Sequence, residues 1–404
     1  MNIDFNNINK NKIKIGIYSK ALSIGGRAKI TSILVNFLTE IKKFDVYLYT
    51  LFNKSKNDYF IRNITKRIII KNNLLEKCNQ NKIDILIYQM GNIKEIKELN
   101  KQKKIKVIFY IHSCFLIWFY YDKYYYFKSL YKAYKNSKYV ISIVPFENDY
   151  LFKKWGIKSI LMNNFITYEY YSVIPSDLSS KTILMIGRGG DKIKRFELGI
   201  KAMKYIIEEI PDVKLLIISS SSGLHNLKKL INKDNLKKNI QFIGFTQKLE
   251  KYFKTASLHL FLSLSESFGM VLAETKIYGI PNILLGLDYV SLSNKGTIII
   301  YDDEPKSIAK ESIKILENYR FRKQLGKQAR KSMKQFNNRL LKLKWIQLIL
   351  SVYKGEYYYE NFRQKGNKLS VTNSLYLLNN QVKLLKRRLK KYRKINLYKL
   401  EHII

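Results

Sequence analysis

The sequence predicts two doubly wound α/β domains in tandem, on three observations. Short β-branched runs recur along the 404-residue chain with helix-length segments between them, the pattern of parallel sheets built from βαβ units. These runs form two sets on either side of a Pro- and Ser-containing stretch, SVIPSDLSSK (172–181). The chain is also long for a single core, and its 46% hydrophobic content can fill two. The expected organisation is an N-terminal domain over 1–171, a linker over 172–181, a C-terminal domain over 182–345, and C-terminal helices with a basic tail over 346–404.

In the first half the expected strands are KIGIYS (14–19), VYLYTLF (46–52), RIII (67–70), DILIYQM (84–90), KVIFYIH (106–112) and YVISIVP (139–145). In the second half they are TILMIGR (182–188), VKLLIIS (213–219), IQFIGF (240–245), LHLFLS (258–263), NILL (282–285) and TIIIY (297–301). Amphipathic segments such as LGIKAMKYIIEEI (198–210) stand between them, here stopped by Pro211 and Asp212. The acids Asp302, Asp303 and Glu304 read as the cap and first turn of a helix. The apolar stretch Val107 to Tyr121 is shorter than the ~20 residues a spanning helix needs, and reads as a buried strand running into a loop.

Charge sets a second boundary. The chain has 74 Lys and Arg against 31 Asp and Glu, a formal +43, which suits nucleic acid, an anionic membrane surface or a phosphorylated substrate. Abundant Lys, Asn, Ile and Tyr also mark an A/T-rich coding sequence, so part of the excess is solvated surface. No nucleic-acid recognition motif accompanies the charge, which makes nucleic acid a poor partner. Residues 361–404 hold twelve Lys and Arg and one acid, and 375–400 places apolar residues at helical intervals among them, as a helix lying on an anionic leaflet would. Cys78 and Cys114 are too few for a disulfide framework and point to a reducing compartment. The first residues show no apolar run of a signal peptide. A cytoplasmic protein, peripheral at the inner face of the membrane, is the expectation.

The stretch SLSESFGMVLAETKIYGIPNI (263–283) carries the chemistry. A strand hands over to a helix through Glu266-Ser-Phe-Gly, and ligands of open α/β sheets bind at such handovers. Phe268, Gly269 and Met270 offer backbone N–H groups at a helix start, an anion or sugar cradle. Glu266 and Glu274, eight residues apart, supply acceptor-only carboxylates for hydroxyl groups. Arg188 and Lys194 follow another strand, where a guanidinium and an ammonium can meet two phosphates.

Together, E-S-F-G-M-V-L-A-E followed by G-I-P, and Gly187-Arg188 followed by Lys194, resemble the E-x7-E and G-R…K elements of retaining glycosyltransferase family 4. The resemblance runs from about residue 13 to 350. It implies a GT-B fold: two Rossmann-like domains facing a central cleft, here with a basic helical extension. It further implies transfer of a sugar, with retention and without metal, from a nucleoside-diphosphate sugar to a glycan or lipid-linked acceptor, as in cell-surface polysaccharide synthesis. On this resemblance Arg188 and Lys194 grip the donor diphosphate, Glu266 stands beside the donor sugar and Glu274 accepts the ribose hydroxyls. Gly25 and Gly26 match the family's glycine loop, with Ala28 and Lys29 where an acid is usual, and His112 matches a histidine near the reacting sugar. Leu262 replaces the common Pro, Ser267 the common Gly and Thr275 the common Ala. No D-x-D and no histidine pair at ligand spacing is present, so no metal site and no cofactor beyond the nucleotide-sugar co-substrate is expected. The rival readings are a catalytically inactive scaffold on the same fold and, behind it, a basic nucleic-acid binder.

Overall fold

A computed structural model of the chain describes residues 12–356 apart from 24, 121–122, 221–223 and 234–235, and in addition 380–381, 383–384 and 387–388. It divides into two compact units, residues 1–119, 123–165 and 337–374 in the first, and 120–122, 166–336 and 375–404 in the second.

The first unit runs β1 (Ile13–Tyr18), α1 (Gly26–Thr39), β2 (Phe44–Thr50), β3 (Lys66–Ile69), α2 (Leu74–Gln80), β4 (Ile85–Tyr88), α3 (Ile93–Asn100), β5 (Lys106–Ile111), α4 (Leu116–Tyr120), α5 (Tyr124–Tyr134), β6 (Tyr139–Ser142), α6 (Pro145–Trp155) and β7 (Ser159–Leu161). Its sheet has the order β3-β2-β1-β4-β5-β6-β7, and every strand pair is parallel. β1 and β4 are buried almost throughout, as parallel strands covered on both faces must be. The chain reverses its order of strand addition between β1 and β4, which is where open sheets bind ligands. β7, three residues long, carries too little periodicity to be found in the sequence.

The second unit runs β8 (Thr182–Gly187), a 3₁₀ turn (Lys192–Lys194), α7 (Phe196–Glu209), β9 (Lys214–Ser219), α8 (Leu224–Lys233), β10 (Ile240–Ile243), α9 (Glu250–Thr255), β11 (Leu258–Phe261), α10 (Met270–Ile277), β12 (Asn282–Leu285), β13 (Thr297–Ile300), α11 (Pro305–Glu317) and α12 (Tyr319–Ser332). Its parallel sheet is ordered β10-β9-β8-β11-β12-β13, again with a reversal, between β8 and β11. A core of Ile, Leu, Met and Phe from β8, β9, β11, α7 and α11 fills one face. α13 (Asn338–Lys354) then joins the first unit, where the fully buried Trp345 meets Tyr110 edge-on at 5.3 Å between centroids.

The segment 172–181 packs within the second unit. Ser176 is buried, its N–H donates to the Tyr278 carbonyl and its hydroxyl to the Ala256 carbonyl at 2.7 Å. The apolar stretch 107–121 divides into β5 and α4, and among the described residues no helix is long and apolar enough to cross a membrane. Most of the basic tail lies outside the described residues. The described part of 380–388 is helical, and Leu384 is buried against Gly286, whose added Cβ would meet its Cδ2 at 2.2 Å. Cys78 and Cys114 are both buried free thiols.

Candidate functional site

In the second unit, β8 ends on Gly187 and the chain turns through Arg188 to Lys194 before α7 begins. Asp191 organises this turn: its carboxylate accepts from Ile193 N–H at 3.1 Å and from the Arg188 guanidinium at 2.6 Å. Arg188 remains 61% exposed while its partner is covered, so the guanidinium is free to take a ligand at little desolvation cost. Gly187 lets the aliphatic stem of Lys194 lie close on the backbone; a Cβ there would meet Lys194 Cγ at 3.0 Å. Arg195, in the left-handed region at φ 52°, sends the chain into α7. Its guanidinium reaches Asp303 at 2.9 Å, and Asp303 also takes Arg388 at 3.1 Å. Asp303 is therefore a buried anchor for two arginines rather than part of the cap of α11; the cap residue is Glu304, whose N–H is held by Asp302. The sequence hid this because the two arginines lie 108 residues before and 85 after it.

β11 delivers Glu266 to the same carboxyl edge. Lys194 Nζ and Glu266 Oε1 form an ion pair with side chains 19% and 15% exposed. At such depth a charged pair is held by mutual attraction in a reduced dielectric yet remains reachable by a ligand. Tyr289, which the sequence reading missed, fixes the backbone of Glu266: its hydroxyl accepts from Glu266 N–H at 2.9 Å and donates to Glu266 carbonyl at 3.0 Å. Gly269 caps α10 in the left-handed region at φ 79°, a conformation that costs a side-chain-bearing residue. Met270 opens the helix, and Phe268 turns inward against Phe336. Only the backbone of Phe268 is thus available as a cradle.

Glu274 is 2% exposed, and Thr167 donates to its Oε1 at 2.6 Å. The carboxylate is therefore engaged by the fold itself. Thr275, in the place of the usual Ala, has its hydroxyl 2.8 Å from Asn282 Oδ1, and the His259 ring contacts the same oxygen at 2.7 Å. Burial pushes His259 down to about 4, so it is a neutral structural residue. Burial likewise lowers Lys276 to about 7, where it donates to the Leu292 and Asn294 carbonyls.

In the first unit, Gly25 precedes α1 at φ 119° with nothing within 4 Å of an added Cβ, and Gly26 begins the helix. Ile24 lies outside the described residues. His112 follows β5 and is partly exposed, its ring 4.0 Å from that of Tyr110. His112 Nε2 lies 2.7 Å from the Gln89 side-chain oxygen. The Thr31 hydroxyl is 3.0 Å from that oxygen and 2.9 Å from the Arg27 carbonyl, while Gln89 Nε2 is buried without a partner.

One arrangement of this cluster pairs the Gln89 amide nitrogen. A hydroxyl has one proton, and a carbonyl can only accept. With the Thr31 proton on the Arg27 carbonyl and the Gln89 amide turned end for end, one Gln89 N–H serves Thr31 Oγ1 and the other serves His112 Nε2. Only a carbonyl oxygen is then unpaired, less costly than an orphaned amide nitrogen. In that arrangement His112 is a neutral imidazole with its hydrogen on Nδ1. Burial, and then the Arg27 charge, hold its pKa well below the ordinary value, in agreement.

The structure brings Lys194 and Glu266 into contact and sets Arg188, Gly269 and Met270 on the same sheet edge. Gly25, Gly26 and His112 occupy the carboxyl edge of the other sheet. Among the described residues no group of His, Cys, Asp or Glu is arranged to hold a metal.

Two tandem Rossmann-like domains, each with its candidate residues at the carboxyl edge of a parallel sheet, define the GT-B fold. A sucrose-phosphate synthase from Thermosynechococcus elongatus superposes on 85% of this chain and 100% of its own with a TM-score of 0.69 at 17% identity. Anabaena HepE in complex with UDP and glucose does so on 84% and 100% with a TM-score of 0.66 at 14% identity. Residues 170–332 match the family model described as glycosyl transferases group 1. Among curated proteins, N-acetyl-alpha-D-glucosaminyl L-malate synthase of Bacillus anthracis is 25% identical over 171 residues, 41% of this chain and 42% of that protein. Poly(glycerol-phosphate) alpha-glucosyltransferase of Bacillus subtilis is 29% identical over 121 residues, 30% of this chain and 16% of that protein. The chain thus matches less than half the length of these curated relatives.

Proposed function

We propose that the protein is a glycosyltransferase that moves a sugar from a nucleoside-diphosphate sugar to a hydroxyl of a glycan or lipid-linked acceptor. The observation that carries this reading is the Lys194–Glu266 pair at the carboxyl edge of β8 and β11, beside the exposed guanidinium of Arg188. In the reaction the anomeric carbon loses its bond to the β-phosphate oxygen and gains one to the acceptor oxygen, and the acceptor proton leaves with the nucleoside diphosphate. Charge builds on the departing diphosphate, where Lys194 and Arg188 supply fixed cations and the N–H groups at the start of α10 supply dipoles. These groups make a metal dispensable. Glu266 offsets the positive charge at the reacting carbon and orients Lys194 before the donor binds. Resemblance to family 4 favours retention of configuration.

Ribose recognition by Glu274 requires Thr167 to yield or share the carboxylate. On the acceptor side, His112 in its Nδ1–H form donates a hydrogen bond rather than carrying charge, and Gly25 and Gly26 leave room for the phosphates. The reading is of a cytoplasmic protein whose +43 charge favours peripheral contact with anionic membrane, where lipid-linked acceptors reside. Vesicle sedimentation of the full chain at low and high salt checks that last element, with binding expected only at low salt.

Calorimetric titration with UDP, GDP and ADP in EDTA tests the donor site. One diphosphate is expected to bind saturably at one to one, and Lys194→Ala is expected to weaken it. Absence of binding by all three sinks the reading.

A further inference from the structure

A cavity of about 280 Å³ in the first unit contains none of the residues assigned a role above. It opens at the end of β1, between the 70–73 loop, the start of α2 and α3. Tyr18, Asn72, Asn73, Glu76, Glu95 and Glu98 contribute to its lining, with Lys71 the one cation. Three of the chain's 31 acids therefore converge on one hollow of a protein with a +43 excess. That contrast argues against a site for a polyanion, but acids alone do not define a ligand.

Tyr18 supplies the second observation. It is 2% exposed, lines the cavity, and its ring leans on Tyr88 at 5.6 Å between centroids. Among the described residues its hydroxyl has no hydrogen-bond partner, and burial followed by the Glu95 charge raises its pKa to about 12. A phenol that lines a cavity with no protein partner is left to bond a ligand's oxygen. Glu95 is set in place beforehand: the Tyr88 hydroxyl donates to its carboxylate, and its own N–H is capped by Asn92. Tyr18 and Tyr88 are register partners across β1 and β4, so the cavity stands at the reversal of strand order.

We propose that this cavity is the acceptor subsite and that it takes a hydroxyl-rich, phosphate-free sugar unit. The proposal rests on the glycosyl-transfer reading above. Carboxylates accept from sugar hydroxyls, the Asn72 and Asn73 amides both donate and accept, and the Tyr18 O–H is left to donate to a ring or hydroxyl oxygen. A phosphate would face three carboxylates against Lys71 alone. The cavity is small beside drug-sized pockets of about 300–1,000 Å³ and suits a single ring.

The test uses the full chain on an array of neutral, acetamido and phosphorylated glycans, with titration by UDP, GDP and ADP in parallel. Binding to phosphate-free glycans is expected, lost about 2–10-fold in Tyr18→Phe, which deletes only the oxygen, and about 10–100-fold in Glu95→Gln, with nucleotide affinity unchanged. Wild-type affinity in both variants, preference for phosphorylated glycans, or binding to none of the phosphate-free ones overturns the subsite while nucleotide binding stands. Loss of nucleotide binding in the wild type overturns the transfer reading itself.

Discussion

The two sheet edges solve the same problem with opposite electrostatics. At the edge of β8 and β11 the polar side chains are full charges that pair, Lys194 with Glu266 and Arg188 with Asp191, while Arg195 and Arg388 pair with the structural anchor Asp303. At the edge of β4 and β5 the paired groups are neutral, with His112, Gln89 and Thr31 in one cluster, and at the start of α6 Glu147 meets Tyr131 and the Phe115 amide, while the carboxylates of Glu76, Glu95 and Glu98 gather in the separate hollow beside β1. Burial raises Glu147 to about 8, so it holds its proton at neutral pH. On the proposed function, paired cations suit a site that must meet a diphosphate, whereas neutral groups and carboxylates, which accept from hydroxyls, suit one that must read a sugar.

Removing charge from the second unit should give the largest effects. Asp303→Ala leaves two arginines buried without their carboxylate and is expected to cost about 3–5 kcal/mol, read as the denaturation midpoint. Asp303→Asn should recover part of it. Lys194→Ala is expected to lower turnover about 10²–10³-fold with the fold intact by circular dichroism; a loss of ten-fold or less would move the leaving-group role elsewhere. Arg188→Ala should be milder, since this guanidinium is already solvated.

The first unit should respond to proton placement instead. Gln89→Glu replaces a donor to His112 Nε2 with an acceptor and should move the ring hydrogen from Nδ1 to Nε2, visible in ¹⁵N histidine spectra, with turnover down about ten-fold, as expected for one general catalytic hydrogen bond lost. An Nε2–H form in the wild type would refute the cluster as drawn. Glu147 gives the smallest effect, one of pH. Because its pKa is raised, the folded chain keeps a proton that the unfolded chain releases, so its contribution is full below the ordinary 4.5 and is lost as pH rises toward about 8. Glu147→Gln, which mimics the protonated form, should therefore gain on the wild type across that window, by at least about 1 kcal/mol at pH 8. Equal stability at pH 5 and 8 would mean that the carboxyl is ionised.

Charged motifs on short handover loops were legible because the residues that meet are placed by local geometry. The G-R…K and E-x7-E elements each sit at one strand end, so finding the strands located these side chains. Asp303 misled the reading for the converse reason: an acid just before a helix satisfies every local rule for a cap, and only the approach of Arg195 and Arg388 gives it another use. Tyr289 and Gln89 had no signal at all, since a tyrosine in a loop and a glutamine after a strand are ordinary until a backbone or a ring is set against them.

The sequence by itself determined the twelve longer strands, the doubling of the α/β unit, and the placing of Arg188, Lys194, Glu266 and Gly269 at strand ends, because hydrophobic period and backbone sterics act over a few neighbouring residues. The tertiary structure alone decided which charges pair, which carboxylates are buried, and which side chains the His112 ring is set against. Those outcomes depend on solvent exclusion and on contacts between residues tens of positions apart, and neither is set until the sheets have packed.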